Sequence, residues 1–61
     1  MDLVGKTLRS KINGVLYYVH ELFSEGGREY YKVGEVGTSS YVAIERGWFE
    51  FGYMQNLEIV E

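Results

Sequence analysis

Apolar and polar residues alternate in short runs along this chain, and the runs are separated by glycine-rich or hydroxyl-rich breaks. That rhythm predicts half-buried β-strands joined by tight turns. Asn13-Gly14 is the strongest local signal, because both residue types tolerate the positive φ that a two-residue type I′ turn requires. It predicts a hairpin in which residues 6–12 pair with residues 15–23. Ser24-Glu25-Gly26-Gly27 is the next break, after which residues 29–36 resume a strand pattern with Tyr30, Tyr31 and Val33. Gly34 interrupts that run and predicts a β-bulge or sharp bend. Gly37-Thr38-Ser39-Ser40 reads as a loop, residues 41–45 as a short strand and Arg46-Gly47 as a tight turn. In residues 48–54, Phe49, Phe51 and Tyr53 alternate with Trp48, Glu50 and Gly52, which predicts a fifth strand. After a turn at Gln55-Asn56, residues 57–61 read as a terminal strand that pairs back onto the first.

Five or six short strands with frequent turns predict an all-β fold, a small SH3-like barrel or a strongly bent antiparallel sheet, since closure hides edges that otherwise aggregate. The expected core takes one face of each strand: Leu8, Val15, Tyr17, Val19, Tyr31, Val33, Val42, Ile44, Phe49, Phe51, Leu57 and Ile59. Between 15 and 23 both faces are apolar, with Leu16, Tyr18 and Leu22 on the other side. The same stretch supports a rival α+β fold. Leu8, Ile12, Val15, Leu16, Val19, Leu22 and Phe23 also follow amphipathic helical spacing, so a helix over residues 8–25, capped by Gly26, would lie on a three-stranded antiparallel sheet. Against the helix stand Asn13-Gly14 in its interior, at about 1 kcal/mol for the glycine alone, and the β-favouring Tyr17-Tyr18-Val19.

Composition narrows the class further. The chain has 61 residues, with no proline and no cysteine. It reads as a single domain, residues 1–61, without repeat or linker. A domain of this size buries only about 60% of the surface its unfolded chain exposes, and no disulfide is available to reinforce it. Packing or a partner must supply the stability. No apolar run approaches the roughly 20 residues that span a bilayer, and Met1-Asp2-Leu3-Val4-Gly5 lacks the basic and apolar regions of a secretion signal, so a reducing cytoplasm is the expected location. The formal net charge is −3. Lys6, Arg9 and Lys11 cluster early, whereas Glu50, Glu58 and Glu61 close a segment with no base after Arg46. The asymmetry can orient the domain on a charged partner, or it is a solvated surface of mixed sign.

Groups that do chemistry are scarce. His20 is the one imidazole, flanked by Val19 and Glu21, and a nucleophile needs a base that is itself held by a third group. A lone histidine reads as an exposed or cross-strand side chain. The eight glutamates are scattered along strands and turns without a pocket-forming chain around them. Gly34, Gly37 and Gly47 lack the spacing of a phosphate-cradling loop, and Gly37-Thr38-Ser39-Ser40 reads as an ordinary hydroxyl-rich turn. The chain is therefore read as a non-enzyme with neither cofactor nor metal.

The aromatic set carries more information. Six tyrosines, three phenylalanines and one tryptophan exceed what one small core can hold, so several should face water, where Tyr and Trp serve as interface anchors. Tyr18, Tyr30, Tyr41 and Trp48 lie opposite the expected core face. The alternative is that cross-strand aromatic pairs stabilise the sheet. Nucleic-acid binding through Lys6, Arg9 and Lys11, with bases stacked on aromatics, is disfavoured because an acidic surface repels a polyanion.

Gly5-Lys6, the Asn13-Gly14 hairpin and Tyr31-Lys32-Val33-Gly34-Glu35-Val36-Gly37-Thr38 together resemble the small SH3-like barrel proteins of phage and prophage genomes. The resemblance implies a short accessory protein that binds and modulates or inhibits a host protein by surface contact, in the host cytoplasm. The expected binding surface is an aromatic patch of Tyr18, Tyr30, Tyr41, Trp48 and Tyr53, with Trp48 and Tyr53 as anchors and Glu45, Glu50 and Glu58 orienting the partner. The alternative from another class is a structural homo-oligomer, in the simplest case a homodimer, whose aromatic patch forms its own symmetric interface.

Overall fold

The computed structural model describes residues 2–60. Met1, and Glu61 at the end of the expected terminal strand, lie outside the described residues. The chain runs β1 (Thr7–Ser10), β2 (Leu16–Glu25), β3 (Arg28–Glu35), β4 (Tyr41–Glu45), α1 (Arg46–Phe51), a 3₁₀ turn (Tyr53–Asn56) and β5 (Leu57–Ile59). The strands form one antiparallel sheet in the order β4-β3-β2-β1-β5. The all-β reading holds at that level, and the terminal strand does return to the first, with Leu8 opposite Ile59 and Ser10 opposite Leu57. The sheet is not closed: β4 and β5 are its two edges.

The helix over residues 8–25 does not form. Leu8 pairs with Tyr17 and Arg9 with Leu16, so Leu8, Tyr17 and Val19 reach the core face by strand parity while Leu16 and Tyr18 face outward. The hairpin itself differs from the expected one. Asn13 does not take a positive φ, whereas Gly14 does at 75°. A longer connection forms around Ser10, whose hydroxyl oxygen accepts the N–H groups of Ile12 at 3.1 Å and Asn13 at 3.3 Å while its carbonyl accepts that of Gly14 at 2.9 Å. Local side-chain bonds of this kind give the backbone an alternative to the tight turn. The two-residue turn with both central φ angles positive sits instead at Gly26-Gly27, at 60° and 80°, between the paired Glu25 and Arg28.

The bulge also moves. Gly34 lies in regular ladder between Tyr18 and Tyr41, and the register shifts in β2 between Val19 and Glu21, at His20. The extra residue reverses the parity of the rest of β2, so Leu22, opposite Tyr31, joins Val19 on the core face and Glu21 turns outward with Lys32. Gly34 is small for a packing reason: a Cβ there would stand 2.8 Å from the Ser40 carbonyl oxygen.

Residues 48–54 correct the expected fifth strand. They fold as the end of α1 followed by the 3₁₀ turn, and Arg46-Gly47 opens the helix where a tight turn was expected. Alternation of aromatics is compatible with a strand, but the tertiary setting favours the helix, which inserts Phe49 against Tyr31 at 5.4 Å between centroids and sets Arg46 over Glu50 at 3.0 Å. The core is Leu3, Leu8, Val19, Tyr31, Val33 and Phe49, with Tyr17, Leu22, Ile44, Met54 and Leu57 packed around it. Val15 is half-buried. Three expected core residues are exposed: Val42 and Ile59 on the two edge strands, and Phe51, which the helix turns away from Phe49. Leu3, ahead of the first strand, fills the core instead.

Candidate protein-binding surface

The sheet's outer face gathers three of the expected aromatics. Tyr18 meets His20 edge-on at 5.0 Å, and Tyr30 stacks on Phe23 at 5.6 Å. Lys32 Nζ lies 4.0 Å from the centre of the Tyr41 ring and 3.7 Å from Glu21. Tyr30 is thus engaged in a cross-strand contact that stabilises the sheet, whereas Tyr18 packs along its own strand. Tyr41 stays open, at the sheet edge.

The helical segment presents a second surface. Trp48 and Phe51, three residues apart on α1 and therefore on one side of it, are 70% and 77% exposed. Tyr53 follows at the start of the 3₁₀ turn, its ring 6.2 Å from Phe49 and half open to water. It also lines a groove of about 770 Å³ that occupies the opening of the unclosed sheet, with Val42 and Ile44 contributed by β4, Ile12 by the β1–β2 connection and Leu57 by β5. Sequence patterning placed Phe51 and Val42 in the core and so missed both as surface groups. The spacing of Arg46 and Glu50, four residues apart and of opposite charge, is the signal that reads α1 as a helix and turns Phe51 outward.

The three glutamates expected to orient a partner are held within the chain. Glu58 accepts from Arg9 Nε at 2.8 Å, and Glu45 from Arg28 at 3.3 Å. Glu50 belongs to a structural network beneath α1: it accepts from the Tyr31 hydroxyl at 2.7 Å and from Arg46 Nε at 3.0 Å, while Arg46 also donates to Glu29 at 2.8 Å. The Tyr31 bond, then Arg46, hold the Glu50 carboxyl below the usual carboxylate range against the opposing push of desolvation. Burial first, then the bond to Glu50, raises Tyr31, whose oxygen accepts from the Leu3 backbone N–H. This chain of bonds ties the segment before β1, β3 and α1 together.

Of the basic trio, Lys6 and Lys11 are exposed, and Arg9 is paired with Glu58. Among the described residues no group of three or more His, Cys, Asp or Glu side chains is placed to hold a metal ion, and no helix is long and apolar enough to cross a membrane. No protein-family model, curated protein or solved structure matches this chain.

Proposed function

We propose that this protein is a non-enzymatic protein-binding module, a small phage- or prophage-encoded protein that docks on a host protein in the cytoplasm and modulates or inhibits it. In this reading the sheet is an SH3-like barrel left open between β4 and β5. The observation that carries the proposal is the pair of rings on α1: Trp48 and Phe51 lie on one side of a short helix, and each exposes more than two-thirds of its surface. Large rings with few rotatable bonds are the side chains that dominate interfaces. Covering both contributes about 3 kcal/mol of apolar burial before the costs of association are subtracted. In this reading the anchor is Trp48 with Phe51 in place of Trp48 with Tyr53, because the helix turns the first two rings to the same side. Glu45, Glu50 and Glu58, each already paired, shape the field around the patch without offering a free carboxylate.

The test compares the parent with Trp48→Ala and Phe51→Ala as bait in a bacterial host lysate, with Tyr30→Ala on the outer sheet face as control. The expected outcome is a partner retained by the parent and the control and lost by both α1 variants, whose far-ultraviolet circular dichroism matches the parent. A partner that binds all four baits equally, or α1 variants that unfold, would reject the assignment.

A further inference from the structure

A sheet with two free edges usually guards them with lysine, proline, a bulge or shortness, because unpaired N–H and C=O groups recruit other strands. β5 is short, at three residues, and its Glu58 is held by Arg9. β4 has none of these guards. Its five residues are Tyr41-Val42-Ala43-Ile44-Glu45, with neither lysine nor proline, and its pairing with β3 runs without a bulge. Among the described residues no strand covers its outer side. It is also open on both faces: Tyr41 is 58% exposed on the outer face and Val42 59% exposed on the core face, where its ladder partner Val33 is buried.

We infer that β4 pairs antiparallel with β4 of a second copy of this chain, across a two-fold axis at Ala43, to give a continuous ten-stranded sheet. The side chains of β4 are complementary to themselves in that register. On the core face Val42 meets Ile44 of the second copy, and the reverse, so both exposed valines gain apolar neighbours. On the outer face the two Ala43 methyls meet on the axis, and each Tyr41 stands beside the other copy's Glu45, already neutralised by its own Arg28. No like charges oppose each other. The nearest repeated charge is Lys32, opposite Ala43 in its own sheet, and three strand spacings separate the two copies of it, roughly 14 Å, which exceeds the screening length of about 10 Å at 0.1 M salt. A foreign strand could satisfy the same backbone groups, but the second copy supplies this complementarity from the sequence of β4 itself. Five residues a side make an interface below the standard size of about 1,600 Å², so a weak dimer that forms with rising concentration is expected. The inference is independent of the Trp48 and Phe51 reading.

Sedimentation velocity across a concentration series tests it with the parent, Ala43→Lys, Ala43→Glu and an equimolar mixture of the two variants. Residue 43 is exposed but sits opposite Lys32 in its own sheet, so circular dichroism of each variant first establishes that the subunit is folded. The expected result is a parent that dimerises with rising concentration, variants each weakened roughly tenfold or more by like charges meeting on the axis, and a mixture that regains the dimer through the opposite-charge pair. In the parent, amide exchange within residues 41–45 slows as the dimer populates, a readout that needs no variant. A parent that stays monomeric up to about 1 mM overturns the inference, as does a dimer indifferent to both charges or a mixture without recovery. A dimer abolished by Trp48→Ala but not by Ala43→Lys would place the contact on α1 and overturn it too.

Discussion

Replacing Glu50 should expose how the helical segment is held in place. The Glu50 carboxylate accepts from the buried Tyr31 hydroxyl at 2.7 Å and from Arg46 at 3.0 Å. A hydrogen bond to a charged group contributes roughly 1.5–3 kcal/mol net, and leaving a buried donor without its acceptor adds to the loss. Glu50 retains some contact with water, its side chain being 16% exposed, which favours the lower half of that range. Glu50→Ala is therefore expected to destabilise the domain by about 2 kcal/mol, a fall in melting temperature of roughly 10 °C for a chain this small. Glu50→Gln keeps an acceptor for Tyr31 but not the charge, and should cost about half as much. The pH dependence follows from the direction of the shift. Glu50 has a lower pKa folded than unfolded, so its contribution is complete above the unfolded value of about 4.3 and is lost as pH falls through the folded one. Tyr31 is raised, so its contribution is complete below the unfolded value of about 10 and is lost as pH rises through the folded one. Urea denaturation of parent, Glu50→Gln and Glu50→Ala at neutral and acidic pH is the assay. The gap between parent and Glu50→Gln should narrow below about pH 4 as the parent's own carboxylate is protonated. A gap that stays constant from neutral to strongly acidic pH, or an alanine variant as stable as the parent, would refute the reasoning.

Two glycine substitutions separate two different physical causes. Gly34→Ala has an ordinary backbone but no room, since its Cβ would stand 2.8 Å from the Ser40 carbonyl oxygen, and a loss of about 1–3 kcal/mol in urea denaturation is expected. An unchanged midpoint would mean that the loop before β4 yields freely. Gly27→Ala has room but the wrong backbone: nothing lies within 4 Å of its Cβ, yet φ is 80°, and about 1 kcal/mol of strain is expected. For this variant, equal stability would show that the β2–β3 turn can adopt another geometry.

The strand-rich class, the breaks near residues 13, 26 and 38 and the return of the last strand to the first were legible because alternation and turn chemistry are local properties. Leu8, Val19, Tyr31 and Val33 were legible as core for the same reason, whereas Phe49 is buried by a helix and not by the expected strand. The rest depended on particular contacts, some local and some between distant residues, that alternation and turn chemistry do not encode. Asn13-Gly14 and Gly26-Gly27 both carry turn chemistry, and the hydroxyl and carbonyl of Ser10 decide which of them makes the tight turn. The bulge falls at His20, where it brings Leu22 to the core face; Gly34, the more obvious breaker, is needed for room beside Ser40. Of the expected binding residues, Trp48, Tyr41 and Tyr53 are open to a partner, whereas Glu50 is part of the framework under α1.

Residues 46–54 mark the boundary between the two kinds of information. By itself the sequence determined that this stretch must bury at least one ring and leave others outside, because one small core cannot hold ten aromatic side chains. Whether Phe51 joined Phe49 inside or Trp48 outside was decided by tertiary structure alone. Phe49 packing on Tyr31, and Glu50 bridging Tyr31 and Arg46, outweigh the local β-propensity of an alternating aromatic run, and a helix is the backbone that satisfies both at once.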